Sequence, residues 1–339
     1  MRDEFAPPVG SALEEAITPI RRATFKAVTD TRHKARRRFV SLSVVAAVAA
    51  GALVAGSATG FWGTSTGGAS AEAAALLNQA ASSTIETSDF VVGPGEYLKV
   101  TTKEVSISFS GVGEADDPEK TVASLNPRTS TVYIPYDRES GVWVKEQEWP
   151  KPTVFFGSRG GEKALAEWAS RPGAGLSQVM TGPGGHLAWT NAAGLPQSET
   201  LSSYDFSDLP RNPADLLSHF GVTDSMKSPS ATEKAYAQIG DLLRQGDVPA
   251  DLRAAAYKAL AALPGVEVVS RSANLDGRLG VAFALTTANG SLRDELLVDP
   301  ESGLFIGERS VSLEASEIVP AGTAWESTSI ETSVSSTAP

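Results

Sequence analysis

Apolar and polar positions fall into distinct regimes along this chain. The first is the run from Phe39 to Trp62, which carries no charged residue and is rich in Ala, Val and Gly. At about 1.5 Å per helical residue it is long enough to cross a hydrocarbon core of about 30 Å, so it predicts a transmembrane helix. Arg36, Arg37 and Arg38 stand directly before it, and nothing as basic follows. That asymmetry predicts a cytoplasmic N-terminus and an extracytoplasmic C-terminus. A cleavable signal peptide ending at Ala69-Ser70-Ala71 is the rival reading. The long N-terminal segment and the length of the run favour a signal-anchor.

Gly63 to Ser70 reads as a Gly/Ser/Thr linker, and Ala71 to Ala81 as a helix packing through Leu76 and Leu77. From Gly95 the period changes to two. Leu98 and Val100, then Val105, Ile107 and Phe109, predict two strand stretches; Val132, Ile134 and Tyr136 give another, and Val142 and Val144 a further one. Residues 114–120 and 157–185 read as loops, with a short helix around Ala164 to Trp168.

Helical signals then dominate. Asn212 is placed to cap a helix with Pro213 at its first position, Leu216, Leu217 and Phe220 inward and Gly221 as the stop. Ser230 and Glu233 have capping-box spacing ahead of Tyr236, Ile239, Leu242 and Leu243. A third helix carries Leu252, Ala256, Leu260 and Leu263 up to Pro264-Gly265. Strand patterns return at Val266–Val269, Val281–Leu285, Leu296–Val298 and Leu304–Ile306, the last two flanking a turn at residues 299–303. Ala324 to Ile330 reads as an edge strand. Strands, helices, then strands is an α+β order. The expected organisation is a cytoplasmic basic segment (1–38), a transmembrane helix (39–62), a linker (63–70), an extracytoplasmic α+β domain (71–330) and a flexible tail (331–339).

Charge sharpens this division. The formal net charge is −11, yet residues 1–38 sum to +4 and the remainder to −15. So acidic a body repels phosphates, and no nucleic-acid partner is expected. Membrane lipid is the expected partner of residues 39–62. In the basic segment, Leu13, Ile17, Ile20 and Phe25 have roughly helical spacing and fit a docking helix; its cations equally fit anionic lipid heads. The chain has no cysteine, which removes disulfides, thiolate metal sites and thiol nucleophiles.

Candidate chemistry is sparse. His186 follows Gly182-Pro183-Gly184-Gly185, a setting that suits a presented imidazole or an ordinary turn into a strand. His219 belongs to the short helix and His33 to the basic segment, and the three do not have metal-site spacing. Glu114, Asp116, Asp117 and Glu119 cluster without the spacing of an EF-hand loop. No Gly-x-Ser-x-Gly elbow or Ser-x-x-Lys pair occurs in the outer domain, residues 71–330. Trp143, Trp149, Trp168, Trp189 and Trp325 suit either a ligand cavity or a core. No catalytic residue, metal ligand or cofactor is nominated, and the ligand-binding residues are left open.

Several motifs together resemble a family of bacterial membrane proteins. They are Ile239-Gly-Asp-Leu-Leu-Arg, Val248-Pro-Ala-Asp-Leu-Arg-Ala-Ala-Ala-Tyr, Ala261-Ala-Leu-Pro-Gly-Val, Leu297-Val-Asp-Pro-Glu-Ser-Gly-Leu and Pro94-Gly-Glu-Tyr. The family is a poorly characterised one of single-pass proteins from high-GC Gram-positive bacteria, often encoded beside extracytoplasmic-function sigma factors. The resemblance covers most of residues 71–330 and is strongest from 212 to 308. The outer domain also resembles the lipoprotein-carrier fold of LolA and the RseB/MucB sensors. That likeness implies a curved, half-barrel-like antiparallel sheet packed with helices around an apolar cavity. The expected function is a membrane-anchored extracytoplasmic binding or sensing protein for an apolar ligand or lipoprotein, with a sigma-factor-pathway protein as a further expected partner. The alternative is a cell-envelope hydrolase with an unconventional site.

Overall fold

Alternating residues from Tyr97 onward build the spine of the fold in the computed structural model. It describes residues 68–339 apart from 88, 112–120, 157–165, 167, 171–174, 176, 192–193, 202–205, 223–228 and 317. Strands β1 (Tyr97–Gly111) and β2 (Thr121–Pro135) pair antiparallel in unbroken register from Tyr97↔Pro135 to Gly111↔Thr121. Outward from β2 lie β3 (Val142–Glu148), β5 (Ser177–Pro183), β6 (His186–Thr190) and β7 (Pro196–Thr200), with the short β4 (Val154–Phe156) also on β2. Outward from β1 lie β12 (Ala324–Ser335), β11 (Leu304–Ser312), β10 (Leu292–Asp299), β9 (Leu279–Thr286) and β8 (Glu267–Ala273).

The helices are α1 (Ala71–Glu86), α2 (Pro213–His219), α3 (Pro229–Leu243) and α4 (Ala250–Ala262). They share one face of the sheet, here the front. Leu77 and Ala81 of α1, Ile239 and Leu242 of α3, and Leu252 and Leu260 of α4 join Leu98, Ile134, Phe283, Leu296 and Val298 in one core. Each such large aliphatic side chain contributes about 1.5–3 kcal/mol by leaving water. Gly240 lets α3 approach closely, because a Cβ there would lie 3.2 Å from Leu296 Cδ2.

The fold expectation is corrected here. A transmembrane helix followed by a half-barrel packed with helices does not describe what is seen. The described residues form chiefly one 12-stranded antiparallel sheet, and the helices are few. Among those residues no helix is long and apolar enough to cross a membrane; residues 39–62 lie outside them. The β share was underestimated for a physical reason. Strands β5 and β7 are mostly Ser, Thr, Gln, Gly, Glu and Pro and β6 is only five residues long, so they give no sustained apolar period. They are held by backbone pairing, β5 along β3, β6 on β5 and β7 along β6. The stretch at 324–330 is not an edge either, since β12 pairs with both β1 and β11. It runs on to Ser335 opposite Tyr97, so its last residues fall within the segment expected to be a flexible tail.

Local signals resolve unevenly. Asn212 Oδ1 accepts from Ala214 N–H at 2.9 Å and caps α2. Ser230 and Glu233 form no capping box: α3 already begins at Pro229, and Glu233 instead accepts from Ala288 N–H. Helix α4 has no side-chain cap from Pro249, and Asp89 takes that role, accepting from Ala250 N–H at 3.1 Å. Ser70 caps α1, and the Ala69 and Ser70 amides bond to Ala261 O and Val266 O. The Ala69-Ser70-Ala71 stretch is thus tied into the fold.

Candidate functional site

Two adjoining recesses open between the sheet front and the C-terminal end of α3. The first, of about 270 Å³, is walled by Val100 of β1, Val132 and Ile134 of β2, Trp143 of β3 and Leu201 after β7, with Arg244, Gln245 and Asp247 opposite. Register explains the floor: Val100 stands directly across from Val132, and Leu98 across from Ile134. Gly246 shapes the roof. Its φ is +76°, and a Cβ there would come within 2.7 Å of Val100 Cγ1, so glycine alone suits both demands. The side wall closes because Lys145 of β3 reaches Glu199 of β7 at 2.7 Å. Those strands are separated by β5 and β6, about 14 Å on a flat sheet, so the sheet curls over its front face here.

The polar groups at the mouth of this recess are mutually engaged. Arg138 Nη1 lies 2.6 Å from Asp247 Oδ2, joining the β2–β3 turn to the α3–α4 loop. Asp247 is largely withdrawn from water, and burial pushes its carboxyl above the usual range against the opposing pull of Arg138. Trp143 Nε1 donates to Arg138 O at 2.9 Å, which fixes both the indole and the turn.

The second recess, of about 180 Å³, lies beside the first and is rich in carboxylates. Tyr236, Asp241 and Arg244 line its α3 wall, and Asp294, Glu308 and Glu326 rise from β10, β11 and β12. Arg244 belongs to both recesses. Its guanidinium pairs with Glu308 at 2.6 Å and Asp241 at 2.8 Å. Burial works against its charge, yet these carboxylates hold its pKa above the ordinary arginine value. Glu326 stands on the open side, and desolvation, followed by repulsion from Glu308 and Glu104, raises its pKa. Glu295 is turned elsewhere: it is fully buried and paired with Arg293 at 2.7 Å and with Arg309.

Of the residues singled out in the sequence, Trp143 lines the first recess. Trp189 is half-buried against the core. His186 is exposed on β6, its Nδ1 3.2 Å from Thr200 Oγ1. His219 packs edge-on to Phe220. His33 and the carboxylates at 114, 116, 117 and 119 lie outside the described residues. Among the described residues no group of His, Asp and Glu is arranged to hold a metal ion. Sequence reasoning missed Leu201, Arg244 and Asp247, which meet only through tertiary packing, although Arg244 and Val248 stand inside the resembling motifs.

The fold and site thus define an antiparallel-β domain with helices on one face and a paired apolar and acidic recess beneath one of them. No family model matches the chain, and no curated protein shows significant similarity to it.

Proposed function

We propose that this domain is a binding or sensing module, displayed outside the cytoplasmic membrane, which takes an apolar envelope ligand into the first recess. The observation that carries the reading is the composition of that recess. Its floor is Val100, Val132, Ile134 and Trp143; Thr102, Thr200 and Gln245 add polar groups, and its two charges, Asp247 and Arg244, are already paired with Arg138 and Glu308. A site built for catalysis presents groups that converge on a reacting atom; this one presents an apolar floor flanked by charges already spent on ion pairs. Its volume is near the lower end of small-molecule cavities, about 300–1,000 Å³. Each 100 Å² of ligand surface buried there contributes about 2.5 kcal/mol before the costs of ordering. Display at the membrane rests on the uncharged run 39–62 behind its arginines, and a partner in sigma-factor signalling rests on the sequence resemblance.

The test uses the full chain in nanodiscs of zwitterionic lipid, with empty nanodiscs as the blank. An environment-sensitive apolar probe is expected to bind saturably, with Leu201→Arg abolishing the saturable part while far-UV circular dichroism stays that of wild type. Uptake that never saturates, or that is equal in a folded Leu201→Arg chain, refutes the reading.

A further inference from the structure

Every charge around the first recess is engaged, whereas two of its neutral polar groups are not. Asp247 holds Arg138 at 2.6 Å, and Arg244 holds Glu308 at 2.6 Å and Asp241 at 2.8 Å. Lys145 of the side wall holds Glu199 at 2.7 Å. Thr200 Oγ1 lies 3.2 Å from His186 Nδ1. The Thr102 hydroxyl, by contrast, lines the recess with no hydrogen-bond partner among the described residues. Gln245 donates from Nε2 to Asp241 O at 3.1 Å, and the carbonyl partner fixes which end of the amide is nitrogen. Its Oε1 is left without a partner among those residues.

Register sets Thr102 at one end of the apolar floor. Along the front of β1 and β2 the rungs run Leu98↔Ile134, Val100↔Val132 and Thr102↔Ser130. From the Ile134 rung to the Thr102 rung is about 13 Å at the usual strand rise, room for a short aliphatic chain. Gln245 stands on the roof next to Gly246, the residue that closes over Val100. A donor from the floor and an acceptor from the roof therefore belong to the same recess.

A charged head of either sign has no place here. A carboxylate must take an arginine from its carboxylate, and an ammonium must take a carboxylate from its arginine. Otherwise the head leaves water with no countercharge, which costs far more than burying a neutral group. A hydroxyl needs one donor and one acceptor and disturbs no ion pair. We infer that the recess selects an uncharged amphiphile, an aliphatic chain ending in a hydroxyl. Its tail lies against Ile134, Val100, Val132 and Trp143. Its oxygen accepts from Thr102 Oγ1 and its O–H donates to Gln245 Oε1. The inference rests on the reading of the first recess as a ligand site and adds the chemistry of the head.

Four probes with one tail test it: octanol, octyl methyl ether, octylamine and octanoate. Each is titrated at neutral pH into the full chain in zwitterionic nanodiscs, with tryptophan emission as the signal and empty nanodiscs correcting for uptake by lipid. Octanol is expected to bind tightest, with the amine and the carboxylate each about tenfold weaker or more. The ether accepts a hydrogen bond but cannot donate one, and should bind about fivefold more weakly than octanol. Thr102→Val keeps the branched shape and should weaken octanol and ether alike, by about fivefold. Gln245→Leu should bring octanol down to the ether and leave the ether unchanged. Far-UV circular dichroism shows whether each variant is folded, and the wild-type series decides without them. Octylamine or octanoate binding as tightly as octanol overturns the neutral-head inference and leaves the apolar recess standing. Octanol binding that is equal in wild type and in both folded variants does the same. Saturable binding by none of the four overturns the ligand reading itself.

Discussion

Tyr236 offers the sharpest test of how α3 is locked to the sheet. Its hydroxyl lies 2.7 Å from Phe283 O and 3.0 Å from Asp294 O, and it accepts from Leu296 N–H at 3.2 Å. Phe283 and Leu296 are register partners on β9 and β10, so the phenol is wired to both sides of one rung. With a single proton, the hydroxyl donates to one carbonyl at a time. Tyr236→Phe keeps the ring and its packing and deletes only the oxygen, leaving the Leu296 amide and a carbonyl each short of a partner. An unsatisfied buried group costs about 1–3 kcal/mol. Partial closure of the two strands onto each other brings the expected total to about 2–3 kcal/mol. For a domain of this size that lowers Tm by about 4–10 °C. Urea and thermal melts of the full chain measure the loss, and hydrogen exchange at the Leu296 amide locates it. A variant that melts within about 1 °C of wild type, with that amide still protected, would show that the hydroxyl is incidental to the ladder.

Two further outcomes follow from burial. Tyr236 and Tyr257 both have pKa values raised by desolvation, Tyr257 while donating to Gly303 O at 2.9 Å. A group whose pKa is higher folded than unfolded contributes fully below its unfolded value, about 10 for tyrosine, and loses that contribution as pH rises towards the folded value. The urea midpoint should therefore fall steeply above about pH 10, and more gently in Tyr257→Phe; parallel slopes would refute the assignment. Leu260 is fully buried where α4 meets the core, so Leu260→Asp should destabilise by several kcal/mol, and a wild-type melting curve would show that α4 packs by another face.

What the sequence discloses is what local chemistry controls. Asn212-Pro213 sets the start of α2 because the cap and the first helical residue act within one turn. The stripe Leu252, Ala256, Leu260 and Leu263 is buried as its spacing requires. The turn at 299–303 closes with Gly303 N–H donating to Asp299 O at 2.8 Å. Features decided at a distance do not show. Strand β12 looked like an edge because it is mostly Ser, Thr and Glu. Its hydroxyls are satisfied by remote groups: Thr328 Oγ1 accepts from Glu308 N–H, Thr332 donates to Gly246 O, and Ser329 donates to Asp276. Asp276, drawn also towards Lys103, has its pKa lowered by these contacts against an opposing desolvation.

The β1–β2 hairpin joins the two halves of this problem. Its apolar residues change phase: Leu98 and Val100 are even-numbered, whereas Val105, Ile107 and Phe109 are odd. A break in period suggests two strands, and a bulge would restore a single buried face. Neither occurs, since the register between β1 and β2 is continuous through the change. Instead the buried face changes side. The upper half packs its even positions under the helices; the lower half packs Ile107 and Phe109 with Leu125 and Phe156 beneath Ile318 and Val319 on the back. The even positions of the lower half are thereby released from the core, and they are Glu104, Ser106 and Ser108, facing Arg128, Asn126 and Ser124. The front surface turns from apolar to polar at this switch, and the neighbouring strands follow, with Glu326 beside Ser106 and Ser310 beside Glu326. The junction of an apolar recess with an acidic one is therefore a direct consequence of the phase change. Restoring a single period with Glu104→Val and Ser106→Val would carry the apolar front surface of β1 past this switch and erase the boundary between its two halves.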